Sequence, residues 1–129
     1  MALVINQVEK KIGCFEIALV GRLDNETSAR LLGVVNALFQ NRVNALQFNM
    51  RALDYVSSAG LRVILMAMKA AKKANAAFMV MEMQEPVKKV FEIAQMVPMN
   101  EIFASVKEAD DYFDEIQRRE RQKQPGGGN

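Results

Sequence analysis

Apolar positions recur along this chain in two periods, and the switches between them mark its elements. Leu3 to Val8 and Cys14 to Val20 read as two strands, joined by a hairpin turn over Glu9-Lys10-Lys11-Ile12-Gly13. In the second strand Phe15, Ile17 and Leu19 alternate with Glu16 and Ala18, the period-two pattern of a strand with one buried face. From Leu31 the period lengthens, and Leu31/Leu32, Val35 and Leu38/Phe39 fall on one face of a helix. Ala45 to Met50 predicts a third strand. Gly60 to Ala74 predicts a second helix, with Leu61, Ile64/Leu65, Met68 and Ala71 turned inward and Arg62, Lys69, Lys72 and Lys73 outward. Phe78 to Met81 predicts a fourth strand.

Pro86 suits the first turn of a third helix, where its missing N–H leaves no bond unmade, and Val87, Val90, Phe91 and Ala94 follow at helical spacing. Ile102-Phe103 adds a short last strand. Ser105-Val106-Lys107-Glu108 then has the form of a capping box, followed by Ala109, Tyr112, Phe113 and Ile116 on one helical face. The order is β-β-α-β-α-β-α-(β)-α, which predicts a mixed sheet with helices packed against it.

The remaining composition excludes more than it adds. At 129 residues the chain fits one domain, with half its residues hydrophobic and a quarter charged. Of 17 basic and 15 acidic residues, four and one lie after Ile116, leaving 13 against 14 before it. The body is therefore near-neutral, which argues against a nucleic-acid surface. The domain is expected over residues 1–116. Residues 117–129 are expected to form a basic, Gly-rich, flexible tail, because no apolar residue follows Ile116. There is no histidine, so imidazole-built zinc sites and Ser-His-Asp or Cys-His machinery are excluded. The one cysteine, Cys14, cannot form an internal bridge and reads as an inert core thiol. No apolar stretch approaches the roughly 20 residues of a membrane span, and the first residues lack the apolar core of a signal peptide. These features predict a cytoplasmic protein that inserts into no membrane.

Among the methionines, Met66, Met68, Met79, Met81 and Met83 are expected in the core or at its edge. Asp110, Asp111, Asp114 and Glu115 lie on a predicted helix without loop-type ligand spacing, and are expected to form a solvated acidic face rather than a cation site.

One segment carries chemical information. From Asn49 to Leu65 the chain leaves a strand, crosses a loop and enters a helix near Ser58. Ser57 or Ser58 can cap that helix by accepting a hydrogen bond from a first-turn N–H. The same N–H groups, at the positive end of the helix, would also stabilise a phosphate. Gly60 keeps the turn uncrowded and lets another backbone approach. Arg62, Lys69 and Lys73 form a stripe on the outer face, readable either as an ordinary solvated surface or as a patch for an acidic partner. Asp24 follows the second strand and can cap the helix containing Leu31.

The run Val56-Ser57-Ser58-Ala59-Gly60-Leu61-Arg62-Val63-Ile64-Leu65 resembles the signature of STAS domains, specifically the bacterial anti-sigma factor antagonists. Their pattern is roughly Asp-Ser-Ser/Thr-Gly-Leu-Gly, and its first serine is phosphorylated by a partner kinase. Gly21-Arg22-Leu23-Asp24 is similar to the family's Gly-Glu-Leu-Asp, and Glu85-Pro86-Val87-Lys88-Lys89-Val90-Phe91 to its later Pro-containing helix. Ser57 stands where many relatives have Asp, Ala59 replaces the second Ser/Thr, and Arg62 replaces the second Gly.

The resemblance implies a single STAS-like α/β domain, with a mixed four- to five-stranded sheet and about four helices. It also implies a regulatory protein that is not an enzyme and needs no cofactor. Ser58 would be the phosphorylated residue, with Ser57 the alternative. Asp24, Ser57, Ser58, Ala59, Gly60, Arg62 and Lys69 would meet the partner. That partner would be an anti-sigma factor and serine kinase of the GHKL-type ATPase fold, to which ATP and magnesium belong. A phosphatase would reset the switch. The helix N-terminus would hold the phosphate with little disturbance, and the free protein would be a monomer. A structural STAS subunit, in a signalling assembly or a lipid-transport complex, is the other role such a domain fills. A serine hydrolase is disfavoured, since neither histidine nor a nearby lysine is available to activate Ser58.

Overall fold

Strands that bury every second residue need a cover on one side, and here the helices supply it. The computed structural model describes residues 3–96 and 106–123. They form β1 (Val4–Lys11), β2 (Cys14–Leu23), α1 (Ser28–Leu38), β3 (Ala45–Val56), α2 (Ser58–Lys73), β4 (Ala77–Met81), α3 (Glu85–Met96) and α4 (Val106–Lys123). The four strands make one sheet in the order β1-β2-β3-β4, with β1 antiparallel to β2 and the other pairs parallel. The β1–β2 hairpin turns at Ile12-Gly13, where Gly13 has φ +76° and donates its N–H to the Glu9 carboxylate at 2.9 Å. This positive φ is the conformation in which glycine lacks the usual side-chain penalty.

Phe15, Ile17 and Leu19 of β2 and Leu46, Phe48 and Met50 of β3 point to the buried face. They meet Leu31, Val35 and Leu38 of α1, Leu61, Ile64 and Ala67 of α2, Val87, Val90 and Phe91 of α3, and Phe113 of α4 in one core. The opposite face is polar at its centre. Glu16 accepts from Asn49 Nδ2 at 3.1 Å and pairs with Lys10 Nζ at 2.6 Å. Lys10 and then Asn49 hold the Glu16 carboxyl below its usual range, against the opposing effect of burial.

Three expectations change. First, no loop separates β3 from α2: Leu53, Tyr55 and Val56 are buried and remain paired with β2 as far as Leu23, across a register shift between Gly21 and Arg22, so the strand runs straight into the helix. Second, Met66, Met68 and Met79 are largely exposed, leaving Met81 and Met83 partly buried, and Cys14 is only partly buried at the start of β2. These positions fall where the helix and strand faces turn toward solvent. Third, the ordered chain does not stop at Ile116. Helix α4 continues to Lys123, and Gln117, placed in the tail by its polarity, is fully buried. The Ile102-Phe103 strand, Ser105 of the capping box and residues 124–129 lie outside the described residues.

Gln117 is inside because β3 outlasts its neighbour. Pairing with β4 ends at Asn49, which leaves later backbone groups of β3 in need of partners. Gln84 Nε2 donates to Arg51 O at 2.8 Å. Gln117 serves Val56 twice, its Oε1 accepting from Val56 N at 3.1 Å and its Nε2 donating to Val56 O at 2.8 Å. This side-chain amide replaces a strand. Gln117→Ala should therefore strand two buried backbone groups and lower unfolding stability by about 1–3 kcal/mol in urea titrations. A loss below about 0.5 kcal/mol would mean that the pairing contributes little.

Candidate functional site

Helix α2 starts at Ser58, so the amide N–H groups of its first turn lack partners inside the helix. Ser57 is the cap: its backbone is extended, and its Oγ accepts from Gly60 N at 3.1 Å. Its own N–H donates to Leu23 O at 2.9 Å, which ties the turn to the end of β2. Gly60 is required by the same approach. A Cβ there would lie 2.6 Å from Leu23 Cγ and 2.8 Å from Leu23 O. Because a backbone carbonyl cannot move aside cheaply, Gly60→Ala should cost about 1–3 kcal/mol. Gly33→Ala, in an exposed part of α1 with nothing within 4 Å of the added carbon, should instead stabilise by about 0.5–1 kcal/mol. Thermal unfolding of both variants checks this; equal effects at the two sites would contradict the close approach.

Ser58 is 1% exposed, and its Oγ is a buried polar atom with no hydrogen-bond partner among the described residues. Its N–H donates to Asp110 Oδ1 of α4 at 2.8 Å. The other Asp110 oxygen accepts from Asn25 Nδ2 at 3.1 Å. The anion position at the head of α2, expected to be open to a phosphate, thus holds the chain's own carboxylate. One turn further along α4, Asp114 accepts a short hydrogen bond from the Tyr55 hydroxyl, and Gln117 holds Val56. The Tyr55 ring lies under the Arg22 guanidinium, 3.9 Å from its centroid. Burial and then the Asp114 carboxylate push the Tyr55 hydroxyl well above its ordinary pKa, so it remains a donor.

The acidic run on α4 therefore has two faces, which corrects the expectation of a uniformly solvated surface. Asp111 pairs outward with Lys107 at 2.8 Å, and Glu115 with Arg119 at 2.9 Å. Partly buried Asp110 and exposed Asp114 reach toward the body, to Ser58 and Tyr55. They share a face with Phe113 and Gln117 at the i, i+3, i+4, i+7 spacing, and that placement was the signal available in the sequence. Among the described residues no group of three or more His, Cys, Asp or Glu side chains is placed to hold a metal ion.

Asp24 serves the turn before α1. Its Oδ1 accepts from Glu26 N at 3.0 Å and Thr27 N at 2.9 Å, and it lies 3.0 Å from the Thr27 hydroxyl. Among the described residues no hydrogen bond joins it to Ser58; the two turns are brought together by the Ser57–Leu23 bond and by Asp110, which is shared between Asn25 and Ser58. Burial works to raise the Asp24 pKa, but the Thr27 and Glu26 hydrogen bonds and the charge of Arg22 outweigh it, so the carboxyl titrates below its usual range. A depressed folded pKa means stability present above the unfolded value, about 3.9, and lost as pH falls through the lower folded one. Acid unfolding of wild type should show that loss, and Asp24→Asn should flatten it. Parallel curves for the two proteins would remove Asp24 from the acid transition.

The remaining candidates lie along α2. Ala59 is half-buried beside the cap. Arg62 and Lys69 are exposed, and among the described residues no carboxylate pairs with either. With exposed Met66 and Lys73 they form a ridge leading away from Ser58, and Lys69 lies about 16 Å along the helix axis from it.

A four-stranded mixed sheet packed by helices, with a serine turn at the β3–α2 junction, defines the class of α/β domain to which this chain belongs. The STAS domain family model matches residues 6–109, and the chain belongs to that family. Solved structures agree on the fold. The unphosphorylated anti-sigma factor antagonist SpoIIAA superposes with a TM-score of 0.61 at 20% identity, covering 70% of this chain and 83% of that one. SpoIIAA of Bacillus in its phosphorylated form gives 0.63 at 17% identity over the same shares. An anti-sigma factor antagonist from Mycobacterium paratuberculosis gives 0.62 at 18%, covering 75% of this chain and 84% of that one.

Proposed function

We propose that this chain is an anti-sigma factor antagonist in a partner-switching pathway. Unphosphorylated, it binds an anti-sigma factor that is also a serine kinase of the GHKL-type ATPase fold, and so frees a sigma factor. A phosphate on Ser58 ends that binding, and a phosphatase restores it. The protein is itself no enzyme. ATP and magnesium belong to the kinase, and the chain acts in the cytoplasm as a monomer when free, without contacting nucleic acid.

The observation that carries this reading is the unpartnered Ser58 hydroxyl at the head of α2, continued by the exposed Arg62, Met66 and Lys69 ridge. A hydroxyl with no structural bond to lose is suited to modification, and unpaired cations beside an apolar side chain suit an acidic docking face. Ser57 is committed to the cap, which supports Ser58 rather than its neighbour as the acceptor. Asp24, committed to its own turn, contributes to the interface through the position of Leu23 and Ser57.

Phosphate adds about −1.5 to −2 charges and must lose water at any interface that offers no cation. Titration calorimetry against the cognate anti-sigma kinase should find Ser58→Ala binding like wild type and Ser58→Asp at least tenfold weaker, ~1.4 kcal/mol. Arg62→Glu with Lys69→Glu should weaken binding by a similar factor. Phosphopeptide mapping after incubation with that kinase and ATP should place one phosphate on Ser58. Equal binding by Ser58→Asp and wild type would overturn the switch.

The burial of both serines favours a second reading, a structural STAS subunit of a signalling or lipid-transport assembly whose serines are never modified. Mapping that finds neither serine phosphorylated by an active kinase selects it.

A further inference from the structure

A kinase must bring its phosphoryl donor to a serine oxygen in line, and a side chain 1% exposed does not permit that approach. The helix that reaches the head of α2 is α4. Asp110 takes the Ser58 N–H at 2.8 Å, Asp114 takes the Tyr55 hydroxyl, and Gln117 takes both polar groups of Val56. These residues and buried Phe113 line a single face of α4, and they span the last residues of β3 and the first of α2. The contacts differ in depth. Gln117 and Phe113 are fully buried, whereas Asp110 is partly exposed and shares its carboxylate with Asn25 in an exposed hydrogen bond.

We infer that α4 is a latch: Asp110 occupies the anion position at the head of α2, and Ser58 is reachable only when this end of α4 lifts. Gln117 and Phe113 form the hinge side and Asp110 the opening side. A phosphate on Ser58 also keeps the latch from reclosing, because the returning Asp110 carboxylate would meet two further negative charges at a site with room for one anion. The modification is then read as a displaced helix as well as a local charge. The use of the latch in signalling rests on the proposed phosphorylation of Ser58, but its closure is a property of this chain alone.

The test needs no kinase. In the full chain, Cys14→Ser with Ser58→Cys leaves one thiol, at position 58. Iodoacetamide, a small neutral probe, should label it at least about 100-fold more slowly than in the same chain unfolded in urea, as expected where the open form is a minor state. Adding Asp110→Ala removes the charged acceptor and should speed labelling about tenfold. Adding Asp111→Asn, which neutralises the adjacent outward carboxylate, should leave the rate unchanged. Because the thiol can repack the site, amide exchange of the Ser58 N–H by NMR in the chain that keeps Ser58 gives a second reading. It should be slow in wild type and about tenfold faster with Asp110→Ala.

Labelling at the unfolded rate, or an Asp110→Ala variant that changes neither labelling nor exchange, overturns the latch. Slow, Asp110-dependent labelling in a chain that an active kinase never phosphorylates keeps the latch and removes the phospho-switch. Phosphorylation of a chain whose position 58 labels freely does the reverse.

Discussion

The first turn of α2 opens with amide N–H groups that no helical carbonyl can reach, and the structure around the site follows from how they are satisfied. The chain draws on three separate elements. The end of β2 supplies Leu23 O for Ser57, the cap residue supplies its own Oγ for Gly60, and α4 supplies Asp110 for Ser58. Each choice constrains another. Bonding Ser57 to Leu23 brings α2 so near β2 that only a glycine fits at position 60. Using Ser57 as the cap leaves Ser58 with a hydroxyl that has no structural duty. Using Asp110 fixes where the last helix must lie.

That last constraint is reinforced by a line of polar contacts crossing three elements. Arg22 of β2 sits over the ring of Tyr55 in β3, and the Tyr55 hydroxyl donates to Asp114 of α4. A buried tyrosine needs a partner for its hydroxyl, and a carboxylate is a strong acceptor. Shifting α4 by one residue would rotate both Asp114 and Gln117 away from their partners and expose Phe113. The polar residues therefore select the position of a helix whose apolar contacts among the described residues, buried Phe113 and partly buried Ile116, would select it only loosely.

The sheet and the first three helices were legible in the sequence because their periods are clean. Phe15/Ile17/Leu19 repeats every second residue, and Leu61, Ile64 and Ala71 recur at helical spacing. The serine turn was legible through resemblance to a family signature, and of its two serines Ser57 is the cap, while the Ser58 hydroxyl has no hydrogen-bond partner among the described residues. The far side of the site was not legible. Asp110, Asp114 and Gln117 are polar residues near a basic terminus, and polarity ordinarily means solvent. Their partners are backbone groups and a hydroxyl distant in sequence, 52 to 61 positions away, and hydrophobic periodicity carries no information about such pairs. Met66 and Met68 failed for the opposite reason: a methionine inside an apolar run reads as core whichever side of the helix it occupies.

A carboxylate and a phosphate obey the same rules at a helix N-terminus, and the difference between them decides what this site can do. The macrodipole and a free N–H favour either anion, by about 0.3–2 kcal/mol for the dipole and 1.5–3 for a charged hydrogen bond. Asp110 provides that stabilisation from a partly exposed position, with its other oxygen held by Asn25. A partly exposed charged bond of this kind contributes modestly, and on the proposed switch a modest contribution is one that a covalent modification can offset. A deeply buried apolar residue in place of Asp110 would hold α4 more firmly, and the added phosphate would then have no charge to repel. On the proposed switch, the carboxylate makes the closed form specific and prevents it from re-forming over a phosphate, because two groups of the same sign compete for one position.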